Sequence, residues 1–168
     1  VGQSGKFGSP DFTEKVECLE LEFFTPVERR IKTKKLLKDD FLEYDLVLRS
    51  RNLLEIRYIL QPFDNQQNTV LHPHVELTRM VASIASNDEE EEILINAFSG
   101  SEAKREYGAD WGLFADFVPK RSFSGFPKAR IMSLYKEEKG LVNCIILYKT
   151  EDLEGFLGLP LRFKSAVE

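Results

Sequence analysis

The chain has 168 residues, 42% hydrophobic and 30% charged, enough for one ordinary domain that buries roughly 70% of its unfolded surface. Its net charge is -5, from 28 acidic against 23 basic residues, a poor match for nucleic acid, where phosphate neutralisation supplies most of the affinity. No apolar run approaches the ~18 residues needed to cross a bilayer, so no transmembrane segment is expected.

The opening VGQSGKFGSP is Gly/Ser-rich without an apolar face; residues 1–15 read as a flexible leader and 16–168 as a single domain. A chain opening on Val is read as a processed or trimmed product, either a mature form after signal-peptide removal or a truncated chain. Its expected compartment is extracytoplasmic, periplasmic or secreted, with a cytoplasmic location as the alternative. From Val16 to Phe24, Leu19, Leu21 and Phe23 alternate with Glu20 and Glu22, the period of a half-buried strand. Thr25-Pro26 breaks it. Val27 to Lys38 then carries six basic residues, including Lys34, and reads as an exposed edge strand or loop.

Tyr44, Leu46 and Leu48, followed by Ile56, Tyr58 and Leu60, alternate with charged residues and predict a hairpin with one buried face. Pro62 ends it, and Asp64 to Thr69 is a polar loop. Pro73 opens an amphipathic helix on which Val75, Leu77, Met80, Val81 and Ile84 share a face. The acidic run Asp88 to Glu92 closes it. Ile93 to Phe98 fits a short strand or a continuation of the helix. Ser99 and Glu102 have capping-box spacing for a short helix that Gly108 stops.

Three strands follow between Tyr107 and Tyr148, the last two joined by Glu137-Glu138-Lys139-Gly140. Leu141 to Tyr148 is apolar on both parities apart from Asn143, so it belongs inside a sheet covered above and below. Thr150 to Leu157 reads as a helix capped by Thr150, and Leu161 with Phe163 as a short terminal strand or tail. The expected fold is α+β, a three-layer α/β/α sandwich around a mostly antiparallel sheet.

The order of elements, with the phrases YDLVLRS, LEIRYILQP and YGADWGLFADFVPK, resembles the Mog/PsbP-like group of α/β/α sandwiches and uncharacterised bacterial domains allied to it. The likeness spans Val16 to Phe163. Members of that group are binding or scaffold proteins, among them extrinsic subunits of the photosynthetic oxygen-evolving complex and a partner of the Ran GTPase. The resemblance implies an accessory role and no chemistry, and it carries over no functional residue.

Three constellations merit weighing. His72-Pro73-His74-Val75-Glu76 holds both histidines; with the helix starting at Pro73, His72 and Glu76 fall one turn apart, as metal ligands or as a solvated helix start. Asp110-Trp111-Gly112 holds the only tryptophan, either a pocket floor or core packing in parity with Leu113, Ala115 and Phe117. The loop Pro119 to Pro127 presents Lys120, Arg121, Phe123 and Phe126, either as a partner-contact patch or with its phenylalanines folded over the sheet. Cys18 and Cys144 both fall in predicted strands without zinc spacing, as a pair or as two buried thiols. No nucleophile elbow, P-loop, dinucleotide fingerprint or H-E-x-x-H occurs.

The sequence therefore reads as a non-enzymatic accessory or protein-binding domain. Its expected partner is another protein, with membrane-peripheral contact through the basic run as a further option, and no cofactor is expected. The alternative is a small-ligand or metal-binding protein with a pocket near Trp111 or near His72 and Glu76.

Overall fold

The computed structural model describes residues 11–23, 32–36, 38–50, 53–63, 72–88, 93–149 and 161–164. In chain order its elements are α1 (Phe12–Leu19), β1 (Leu21–Phe23), β2 (Lys32–Thr33), β3 (Leu46–Ser50), β4 (Leu54–Pro62) and α2 (Pro73–Ile84). They continue with β5 (Leu94–Ala97), α3 (Gly100–Tyr107), β6 (Trp111–Phe117), β7 (Lys128–Lys136), β8 (Gly140–Tyr148) and β9 (Leu161–Phe163). The chain is an α+β protein: an antiparallel seven-stranded sheet, ordered β2-β3-β4-β8-β7-β6-β5, carries the helices on its faces.

β8 is the fourth of the seven strands and is buried at every position. It pairs along its whole length with β4 on one side and β7 on the other. Val142, Cys144, Ile146 and Tyr148 share one core cluster with Leu19 of α1 and with Ala103 and Tyr107 of α3. Ile145 and Leu147 belong to the second cluster, under Leu77, Met80, Val81 and Ile84 of α2. Each Leu or Ile side chain so buried contributes about 1.5–3 kcal/mol relative to exposure. A strand polar on one parity would forfeit half of that, which is why β8 takes the middle.

The β7–β8 hairpin turns through residues 137–139, as the sequence predicts. Gly140 sits at φ 141°, and a Cβ there would run into the backbone of Gln61 and Phe63, so the turn requires glycine. Asn143 interrupts the apolar run beside Ser133 of β7. Both are fully buried, and their side chains find no partner among the described residues.

The two later helices obey their sequence signals. Pro73 occupies the first turn of α2. Ser99 Oγ accepts the Glu102 N–H at 3.1 Å, and Gly108 ends α3 in the left-handed region. Ile93–Phe98, undecided between strand and helix, supplies the edge strand β5. β2 lies in the basic run at the opposite edge, as expected of a charged edge strand.

Several expectations are corrected. The strand predicted from Val16 is instead the end of helix α1, which begins at Phe12, inside the stretch read as leader. Phe12, Val16 and Leu19 recur at i, i+4 and i+7 and pack as one helical stripe. Leu19 ends this stripe and also starts the Leu19-Leu21-Phe23 alternation, so period two was extended a helix too far. Only Leu21–Phe23 remains extended, paired with β9 in a separate two-stranded ribbon. Cys18 accordingly lies on a helix and is exposed, while Cys144 is buried; both thiols are free.

The β3–β4 hairpin does not have a single buried face. β4 neighbours β8 in the sheet interior, so Glu55, Arg57 and Ile59 are buried as well as Leu54, Ile56, Tyr58 and Leu60. Tyr44, which precedes β3, joins the α2-side cluster rather than the side of Leu46. Residues 1–10 of the expected leader, the whole 24–31 stretch with its Thr25-Pro26 break, the 64–69 loop, acidic residues 89–92 and the predicted helix 150–157 lie outside the described residues.

Candidate functional site

Two candidate stretches that lie far apart in the sequence meet in space. The start of α2 lies against the start of β6 and the end of β7, so His72, Pro73, His74 and Val75 face Asp110, Trp111, Tyr135 and Glu137 across a cavity of about 400 Å³. Trp111 is half-buried and packs on the α2-side core, so one ring serves both as packing and as pocket wall. Val75, expected on the buried helix face, is 51% exposed and lines the opening.

The Asp110 corner of this pocket is fixed by hydrogen bonds. Its backbone N–H donates to the Tyr135 carbonyl at 2.9 Å, and its carboxylate accepts the Glu137 N–H at 2.7 Å. Glu76 points elsewhere: it is half-buried and pairs with Arg79 at 3.7 Å, while its N–H caps back to the His72 carbonyl. Among the described residues no group of three His, Cys, Asp or Glu converges as a metal site. The lining is apolar, with two imidazoles and two carboxylates at its rim.

A second cleft lies on the α2 side of β3 and β4. The 119–127 loop is held to the end of α2, where Lys120 N–H donates to the Ile84 carbonyl at 2.8 Å and Ser86 N–H to that of Val118 at 2.7 Å. From there it folds over the charged face of β4. Phe123 is buried, with the Arg57 guanidinium 4.8 Å from its ring centre, and Phe126 is half-buried with Arg49 at 5.6 Å. Arg121 is exposed on the turn. Lys34, Arg49, Glu55, Arg57, Phe126 and Lys149 are among the walls of a cavity of about 410 Å³.

Glu55 anchors this cleft at 1% exposure. It accepts from Arg57 Nε at 2.6 Å and from Lys34 Nζ at 3.2 Å, with Arg49 Nη1 at 3.5 Å. Arg57 continues the network to Asp39 at 3.3 Å and the Tyr44 hydroxyl at 3.0 Å, and Tyr44 donates to Asp39 at 2.6 Å. Burial, then the Asp39 hydrogen bond, pushes the Tyr44 phenol well above its ordinary range, so it stays a neutral donor.

The third feature is the β5 edge. All four residues of β5 are exposed, and β6 is their strand neighbour in the sheet. Ile93, Leu94 and Ile95 are among the largest exposed hydrophobics. Sequence reasoning assigned none of Glu55, Arg57, Arg49, Lys149, Tyr135 or Leu94 to a site. A signal for the first two existed: an interior β8 demands interior neighbours, and Ile59 sits on the same parity as Glu55 and Arg57. No protein-family model matches the chain, and neither a curated protein nor a solved structure does.

Proposed function

We propose that this protein is a non-catalytic accessory domain that binds another protein by taking an extended segment onto the β5 edge of its sheet, which no other described strand covers. The observation that carries this reading is β5. Natural sheets blunt their edges with charge, proline or a covering element, because an open edge templates strand addition. The β2 edge carries Lys32 within the basic run. β5 presents Leu94 and Ile95, 54% and 45% exposed, with no charge in the strand. Aliphatic side chains beside unpaired backbone groups are what strand addition uses, the ladder giving affinity and the side chains selectivity.

The partner's chemistry follows from what precedes the strand. Asp88 and Glu89 to Glu92 place five acids immediately before Ile93, favouring a segment rich in Lys or Arg with alternating aliphatics. Helices on both faces of an antiparallel sheet support the three-layer α/β/α reading and the likeness to the Mog/PsbP-like group. The test is fluorescence polarisation with a labelled alternating Lys-Val hexapeptide, against the same peptide N-methylated at alternate residues. Binding should be lost on methylation, which removes ladder donors, and in Ile95→Lys. Equal binding of both peptides would refute strand addition.

A second reading is favoured by one observation, the convergence of His72, Trp111 and Tyr135 on a single apolar-walled pocket. That shape suits a small, largely apolar ligand with one or two polar groups. Trp111 emission would report its entry directly.

A further inference from the structure

We infer that the cleft between β3–β4 and the 119–127 loop binds a small dianion of the phosphomonoester class that carries a flat apolar group. The charge balance of the cleft is the first argument. Among the described residues, Lys34, Arg49, Arg57 and Lys149 surround it, while the carboxylates in the same network are those of Glu55 and Asp39. Four described cations against two described carboxylates leave an excess of two positive charges among these residues in a concavity, where low-dielectric walls focus the field.

The second argument is placement. Glu55 draws Lys34, Arg49 and Arg57 toward a single buried point, which orients three long side chains before any ligand arrives. Pre-ordering of this kind removes entropy that binding would otherwise cost. Lys34 belongs to the basic run read from sequence as a solvated edge, yet its ammonium turns inward. Arginine forks match phosphate oxygens geometrically, and Lys149, exposed at the mouth, adds a point charge.

The third argument is the wall opposite. Phe126 is half-buried beside Gly125 and Pro127, all three lining the cavity. A Cβ added at Gly125 would meet nothing within 4 Å, so the loop side stays open. An aromatic ring at the edge of a cationic cleft suits a phosphate ester whose organic part is planar. The cavity, about 410 Å³, is of a size to take such a molecule. This site is separate from the β5 edge and stands without it.

The test is calorimetric titration of the full chain with phenyl phosphate, inorganic phosphate and phenyl sulfate at fixed ionic strength. Phenyl phosphate should bind up to about tenfold tighter than inorganic phosphate, the scale of one aromatic contact. It should also outbind phenyl sulfate, which has the same shape and one charge fewer. Lys149→Gln should weaken both phosphates several-fold with the thermal midpoint unchanged. Phe126→Ala should abolish the preference for the phenyl ester and keep phosphate binding. No heat with phenyl phosphate would overturn the inference, as would equal affinity for phenyl sulfate or unaltered binding in Lys149→Gln. Binding to vesicles containing phosphatidic acid without binding to phenyl phosphate would also overturn it, in favour of a membrane surface.

Discussion

Glu55 and Arg57 offer a quantitative test of how the charged face of β4 is held. Glu55→Leu leaves Arg57, 4% exposed, with Asp39 and the Tyr44 hydroxyl as remaining partners. Breaking a buried pair by removing one member costs about 3–5 kcal/mol, and the surviving partners place this variant near 3. Arg57→Met leaves Glu55 with Lys34 at 3.2 Å and Arg49 at 3.5 Å. Lys34 is 36% exposed, so solvent screening weakens its compensation and the cost is again about 3 kcal/mol. In the double variant no charge of the pair remains, and an apolar pair of similar volume should lie within about 1 kcal/mol of the parent. Urea unfolding at constant salt, with the denaturant slope held fixed between variants, gives all three numbers. In heat, each single variant should melt about 6–12 °C lower, given the usual shift per kcal/mol at this size. Single costs below about 1 kcal/mol, or a double cost equal to their sum, would refute a coupled buried pair.

Three further outcomes follow from single observations. Gly140→Ala should destabilise by at least about 1–3 kcal/mol in the same urea assay, because φ 141° is closed to alanine and its Cβ meets the backbone of β4. Cys18 is exposed, whereas burial pushes the Cys144 thiol well above its ordinary range. A chromogenic thiol reagent should therefore titrate one cysteine of the native chain quickly and the second only in denaturant. Burial also raises Tyr58 well above its ordinary 10.0, and burial with Glu102 and Glu106 raises Tyr107 to about 12. The folded chain thus holds these protons more tightly than the unfolded one. Their contribution is full below pH 10 and declines as pH climbs toward and past 12, so urea midpoints should fall through that window. A flat profile there would contradict the assignment.

How much of this was legible in the sequence depended on whether one signal decided each segment alone. Leu141 to Tyr148 was legible because an apolar run on both parities has one solution, the sheet interior. The Ser99 cap and Pro73 were legible because capping is local. Helix α1 was not, because Leu19 serves two periodicities and the choice is made by packing of Phe12 and Val16 on the core. The second buried face of β4 is not legible, because Glu55 and Arg57 have the chemistry of surface residues and only their mutual neutralisation beneath Phe123 lets them be buried. The two halves of the Trp111 pocket were each visible. Their meeting depends on α2 crossing to the β6–β7 end of the sheet, which spacing along the chain does not encode.

Amide hydrogen exchange at Leu94–Ala97, with and without the alternating Lys-Val peptide at saturation, tests the proposed role most directly. New protection confined to β5 is the expected result, since an added strand closes the outward-facing backbone groups of that edge and no others. Protection that appears instead around the 119–127 loop or the His72 pocket, or no protection at all, would contradict it.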